Sequence, residues 1–283
     1  MDEIQINALN KIIHFLKTNT LVKEKKYFPK NPNKKLSLWK EITSSLYVVG
    51  FQDLEHFFID EANKQGFSIL LNHVNPTHVS ELDNFLEEEK NIILDLFEKN
   101  DVGHEPLMAI GCHTSHLVAL EHFLKNTNDD FAFIFEEDCK FNFILSDEYL
   151  IELGNLLKSD LGKDINFLHL GYEHSHKNNL FNTKNFSINL LTDNNMTHSY
   201  LISREQAKKF CDTHDFTKPI TKLNDWVFEN SETYDKVKNK QDIIYRTQCD
   251  DYFSYFCKCH GFKKSVTFQQ NIGENSEKGF KYV

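Results

Sequence analysis

From residue 44 onward, short apolar runs alternate with helix-like stretches, and this alternation narrows the possible folds more than any other property of the chain. Residues 46–51, 67–74, 131–135, 165–171 and 199–202 are runs rich in branched and aromatic side chains that read as strands. Between them, residues 54–65, 81–99, 114–125, 150–157 and 204–211 read as helices. Leu82, Phe85, Leu86, Ile92, Ile93, Leu96 and Phe97, for example, share one side of the stretch 81–99. The helix over 54–65 is expected to stop at Gly66. Strands that alternate with helices are buried on both faces of a sheet, so the expectation is an α/β fold with a mainly parallel central sheet. No internal repeat is apparent in the sequence.

The first 43 residues read differently. Ile4, Leu9, Ile12, Ile13 and Leu16 fall at helical spacing, and a basic stretch follows with Lys23, Lys25, Lys26, Pro29, Lys30, Pro32, Lys34 and Lys35. That run is short and interrupted, which favours a solvated linker over a nucleic-acid or headgroup patch. The expected division is a helical extension with a basic linker over 1–43 and an α/β domain over 44–283. With 40% hydrophobic and 26% charged residues, the chain is not a disordered or fibrous sequence. Its net charge of −10 repels phosphate on average, so nucleic acid and anionic membranes are not expected as partners. No apolar run nears the ~18 residues of a membrane span, and the acidic start Met1-Asp2-Glu3 does not read as a signal peptide. Six scattered cysteines in a chain of this size read as reduced thiols, which implies the cytoplasm. Only Arg204 and Arg246 are arginines among 32 basic residues, a bias of the kind an AT-rich genome produces.

The most informative local stretch is Phe133-Ile134-Phe135-Glu136-Glu137-Asp138, three carboxylates directly after an apolar strand. Ligands of α/β sheets bind beyond the carboxyl ends of strands. Neighbouring carboxylates repel there unless a cation or hydrogen-bond donors offset them. A hard ion such as Mg²⁺ or Mn²⁺ takes one or two carboxylates, with water and substrate phosphates completing its shell. The stretch therefore points to a metal–diphosphate site, with a solvated acidic turn as the plainer alternative. Upstream, Gly111-Cys112-His113-Thr114-Ser115-His116 reads as the opening of a helix, whose free amides suit an anion. Taken alone, Ser115 is equally a helix cap and His116 equally a core histidine.

Together these two stretches resemble glycosyltransferase family 25, which includes lipooligosaccharide sugar transferases and collagen galactosyltransferases. The family pairs a Gly-Cys-x-x-Ser-His helix start with a strand ending in Glu-Asp-Asp some twenty residues later. Asn166-Phe167-Leu168-His169-Leu170-Gly171 is similar to a further family strand, and Thr197-His198-Ser199-Tyr200-Leu201-Ile202-Ser203 leading to Ala207 is similar to its Thr-His-Ala-Tyr strand–helix element. Gln270 to Ser276 is similar to its Gln…Ser tail. The likeness spans roughly residues 44–276. Two departures stand out: Glu137 replaces the middle aspartate, and the first strand ends in Val48-Val49-Gly50-Phe51-Gln52 with no arginine.

The resemblance implies a glycosyltransferase A-type nucleotide-diphosphosugar-binding fold over 44–283. It implies metal-dependent, inverting transfer of a hexose from a nucleotide-sugar, a UDP-sugar, to a hydroxyl of a glycan or glycolipid, as in lipopolysaccharide biosynthesis. On that basis Glu137 and Asp138 are expected to hold Mn²⁺ or Mg²⁺. Glu136 is expected at the ribose or a metal-bound water, and Gly111, Ser115 and His116 at the donor. Inverting transfer needs a carboxylate to take the acceptor's proton. The family's late acidic segment is best matched by Asp251, then Asp250, with Asp225 upstream as the competitor, each of which also suits a helix cap. Cys257, Cys259 and His260 lack a second pair at zinc-site spacing. His174 and His176 read as a solvated loop, with an acceptor groove as the alternative. No dinucleotide, Walker-type or nucleophile-elbow motif is present. Two other expectations remain open: a metal-dependent nucleotidyl or phosphoryl transferase on the same carboxylates, and a degenerate transferase that binds a glycan or a protein.

Overall fold

A computed structural model of the chain describes residues 2–24, 35–51, 55–99, 106–171, 176–191, 198–213 and 257–270. The chain enters through α1 (Glu3–Asn19), started by a capping box in which Gln5 N–H donates to Asp2 Oδ1 at 2.9 Å and Asp2 N–H donates to Gln5 Oε1 at 3.0 Å. Strand β1 (Leu21–Glu24) and α2 (Lys35–Ile42) follow. Next come β2 (Leu46–Val49), α3 (Glu55–Gln65), a 3-10 turn (Ser68–Leu70) and β3 (Leu71–Asn75). A second 3-10 turn (Val79–Glu81), α4 (Leu82–Phe85), α5 (Glu87–Glu98) and α6 (Pro106–Asn126) lead into β4 (Phe131–Glu136). Then come β5 (Cys139–Phe141), α7 (Asp147–Lys158), α8 (Asp160–Lys163), β6 (Phe167–His169), β7 (His176–Asn182) and β8 (Ser187–Leu191). The described chain closes with β9 (Ser199–Ser203), α9 (Arg204–Thr213), β10 (Cys259–Phe262) and β11 (Thr267–Gln269).

Nine strands form one sheet in the order β1-β3-β2-β4-β9-β6-β10-β8-β7, and β11 pairs with β5 beside it. The α/β class matches the expectation, but the sheet is mixed. Pairs β3–β2, β2–β4 and β6–β10 are parallel, and the remaining pairs are antiparallel. Most strands still run in one direction; β1, β8 and β9 run the other way. The main departure is β9, which enters antiparallel between β4 and β6.

Period-two alternation explains how helices cover both faces. Leu46 and Val48 of β2, Phe133 and Phe135 of β4 and Leu201 of β9 face one core, with Trp39 of α2, Phe58 of α3 and Leu150 and Leu153 of α7. Tyr47, Val49, Ala132, Ile134, Tyr200 and Ile202 face the other, with Ala119, Leu120 and Phe123 of α6 and Ala207 and Phe210 of α9. A third core joins α1 (Leu9, Ile12, Leu16) to α5 and α6 (Ile93, Leu96, Ile110). Described parts of the first 43 residues pack with these elements: β1 extends the sheet through β3, and Trp39 joins the main core.

Several boundaries shift for local reasons. The stretch read as one helix over 81–99 breaks at Leu86, whose φ of −141° and ψ of 41° leave the helical region. The strand read over 67–74 spends its first half in the 3-10 turn. Helix α3 ends where Gly66 takes a φ of 83°, the left-handed conformation that suits glycine. Among the described residues, no helix is long and apolar enough to cross a membrane.

Candidate functional site at the carboxyl ends of the central strands

Strands β3 and β4 flank β2 on opposite sides, so the chain reverses its direction of winding between β2 and β4. In open α/β sheets that reversal leaves a crevice beyond the strand ends, where ligands bind. Here the crevice falls at Gly50 after β2 and at Glu136, Glu137 and Asp138 on β4, with Val49 and Glu136 directly paired. The backbone there is tied down. Gly50 N–H donates to Val74 O at 3.1 Å, Glu137 N–H to Val49 O at 3.1 Å, and Glu136 N–H to His198 O at 2.9 Å. His73, buried on β3, donates from Nε2 to Gly50 O at 2.8 Å.

The three carboxylates have different surroundings. Glu137 is turned over Gly50: a β-carbon on that glycine would stand 2.0 Å from Glu137 Oε2. Burial, then the charges of Asp138 and Glu136, push its carboxyl well above the usual carboxylate range. Asp138 is buried, and its Oδ2 accepts from Gln269 Nε2–H at 2.8 Å. Its Oδ1 is buried with no hydrogen-bond partner among the described residues. Burial and the Glu136 charge raise Asp138 to about 7, against the Gln269 hydrogen bond. The β11–β5 pair, in which Gln269 stands opposite Cys139, delivers that glutamine.

Glu136 is half-buried and committed to a histidine. His116 Nε2–H donates to Glu136 Oε1 at 3.2 Å, and Nδ1 lies 2.9 Å from the Tyr200 hydroxyl, which can take either role. Burial opposes a charge on His116, but its contacts with Tyr200, Cys112 and Glu136 outweigh that and hold its pKa well above the ordinary 6.5. His116 itself is fully buried, whereas its neighbours Glu136 and Cys112 reach solvent.

The helix expected to open at Gly111–Ser115 instead begins at Pro106, a residue whose fixed φ and missing N–H suit a first helical turn. The free amides of a helix are those of its first turn, so they lie near Leu107 and not at Thr114–His116. Thr114 Oγ1–H donates to Ile110 O at 2.6 Å and Ser115 Oγ–H to Gly111 O at 2.8 Å, so both hydroxyls bond back along the helix and neither caps it. Gly111 is a packing residue: a β-carbon there would press to 3.1 Å from Val79 Cγ1.

The structure therefore brings His116, Glu136, Glu137 and Asp138 to one strand end and leaves Gly111 and Ser115 inside α6. Asp225, Asp250 and Asp251 lie outside the described residues, as do 271–276 of the glutamine-to-serine tail. The sequence reading passed over Cys112, Tyr200, Gln269 and Gly50 as site residues. Cys112 was findable from its i, i+4 spacing with His116, which sets both on one helix face; the others depend on contacts between distant segments. Among the described residues, Cys112, His116 and Glu136 form the one group of three ligand-type side chains, their ligand atoms all within 4.8 Å of one another. No protein-family model matches the chain, and no curated protein matches it.

Proposed function

We propose that this chain is a metal-dependent glycosyltransferase that moves a hexose from a nucleotide-sugar, a UDP-sugar, to a hydroxyl of a glycan or glycolipid. The observation that carries the reading is Asp138 Oδ1, a carboxylate oxygen held inside the crevice with no partner among the described residues, next to Glu137. An all-oxygen pair of this kind fits Mg²⁺ or Mn²⁺, which needs only one or two carboxylates. When bound, such an ion offsets the charge of the departing nucleoside diphosphate. The rest falls to the chain. Gln269 holds Asp138 by one oxygen and leaves the other for the ion. Glu137 sits over Gly50, where only a glycine leaves room. The acceptor's proton goes to Asp251 or Asp250, with Asp225 in reserve, an assignment that rests on the sequence alone. The resemblance to glycosyltransferase family 25 supports the same carboxylates.

A thermal-shift series with UDP-sugars, with and without Mn²⁺, tests the reading. Saturation at 100 times Kd stabilises a protein by about 2.7 kcal/mol. We expect a Mn²⁺-dependent rise that Asp138→Asn abolishes, and release of a nucleoside diphosphate on incubation with acceptor glycans. A nucleoside monophosphate product would make the chain a nucleotidyl-type transferase. Donor binding without turnover would make it a binding module. An unchanged shift in Asp138→Asn would remove that residue from the ion.

A further inference from the structure

We propose that Cys112, His116 and Glu136 form a second metal site, separate from the Glu137–Asp138 pair, that takes a Zn²⁺ ion with one coordination position left open. The three ligand atoms lie within 4.8 Å of one another, and the resolved pair, His116 Nε2 and Glu136 Oε1, is 3.2 Å apart. Zinc bonds of about 2.0–2.3 Å set tetrahedral ligands roughly 3.3–3.8 Å from each other, so small side-chain adjustments close the shell.

The arrangement suits an ion better than a thiol nucleophile. A nucleophile–base–orienter triad puts the thiol and the carboxylate on opposite ring nitrogens. Here the thiol sulfur and the carboxylate oxygen lie within 4.8 Å of each other, too close to stand on opposite sides of the ring. Nδ1 meets the Tyr200 hydroxyl, which leaves Nε2, on the Glu136 side, for the ion. A hydrogen-bonded second nitrogen is the usual means of aiming a ligating histidine. The parts are also held firmly: Tyr200 is fully buried on β9, and Cys112 and His116 are one turn apart on α6. The thiolate sulfur selects Zn²⁺ over Mg²⁺ or Mn²⁺, which prefer oxygen. Three protein ligands leave a fourth position for water or an anionic substrate group, on the side where Cys112 is exposed. Binding displaces to solvent both the thiol proton and the Nε2 proton that His116 gives to Glu136, and leaves Nδ1–H donating to the Tyr200 hydroxyl.

The site does not depend on the transferase reading, and its test uses no nucleotide. The full chain is stripped with a chelator, kept reduced, and titrated with Zn²⁺ in competition with a chromophoric chelator. We expect one Zn²⁺ per chain. Cys112→Ser changes an exposed residue, so the fold is kept, and it should weaken binding at least about tenfold. Tyr200→Phe should weaken it about 10–100-fold while Zn²⁺ stoichiometry stays at one, as for a positioning residue. Asp138→Asn, which tests the other pair, removes only a neighbouring charge and should change Zn²⁺ affinity far less than Cys112→Ser does. Binding well below one ion per chain, or equal affinity in Cys112→Ser and the unaltered protein, overturns the proposal.

Discussion

Two glycines at strand ends leave room for neighbouring groups that a β-carbon would displace. A β-carbon at Gly50 would lie 2.0 Å from Glu137 Oε2 and 2.7 Å from Glu137 Cβ. Gly50→Ala should therefore lift Glu137 off its seat and cost about 1–3 kcal/mol, the usual range for overpacking. The Mn²⁺-dependent nucleotide shift should shrink with it; a full shift in a destabilised Gly50→Ala protein would show that the seat of Glu137 is immaterial to the ion. Gly171 makes a useful contrast, because a β-carbon there would meet His198 Nε2 at 2.3 Å and the Thr267 carbonyl at 2.6 Å. Backbone yields less readily than the end of a side chain, so Gly171→Ala should destabilise more than Gly50→Ala in urea denaturation. Gly171 was visible in the sequence as a strand-ending residue and Gly50 lay inside the strand read over 46–51, but the side chains they admit come from other segments, and no local pattern names those.

Arg204, the first residue of α9, fastens two elements that the chain order leaves apart. Its guanidinium donates to the carbonyls of Leu124 at 3.2 Å and Thr127 at 2.8 Å, at the end of α6, and its Nε–H donates to Asp129 O at 2.8 Å, just before β4. The group also lies 4.5 Å from the centre of the Phe123 ring. A lysine carries the charge without the planar fork, so Arg204→Lys should lose about 2 kcal/mol, read as a lowered urea midpoint at an unchanged slope. An unchanged midpoint would reduce the fork to a surface contact. Elements such as α3, β4, α7 and α9 were legible because local periodicity alone specifies them. What was not legible depends on pairing across the chain. The register of β9 against both β4 and β6 is such a case, as is β7, whose sequence His-Lys-Asn-Asn-Leu-Phe-Asn has little apolar alternation to mark a strand. The start of α6 was misplaced because glycine reads as a helix boundary, whereas Gly111 lies inside the helix for close packing against Val79. At the candidate site, the acidic triple was plain in the sequence; Gln269, which bonds Asp138, and Tyr200, which bonds the histidine beside Glu136, were not.

Two cores pack on the faces of the central sheet and a third among helices, and the groups buried in the protein pull its pH response in opposite directions. His198 and His260 are buried, and burial lowers each to about 4 from the ordinary 6.5. Between those values the unfolded chain takes up protons that the folded chain refuses, so these two histidines make the protein less stable as the pH falls. Asp138 acts the other way. Burial and Glu136 raise it to about 7 from 3.8, so on acidification the folded chain binds its proton before the unfolded chain does. Its contribution is fully present below 3.8 and is lost as the pH rises through about 7. Glu137, pushed in the same direction, adds to it. In the metal-free protein the two trends partly cancel between pH 7 and 5. Asp138→Asn removes one of them, so its urea midpoint should fall more steeply on acidification across that interval than the midpoint of the unaltered protein. The variant should also be the more stable of the two near pH 8, where an ionised Asp138 otherwise sits buried beside Glu136. Parallel curves would mean that Asp138 ionises alike in the folded and unfolded chains, and that its oxygen is not held in the low-dielectric seat from which a cation would be bound.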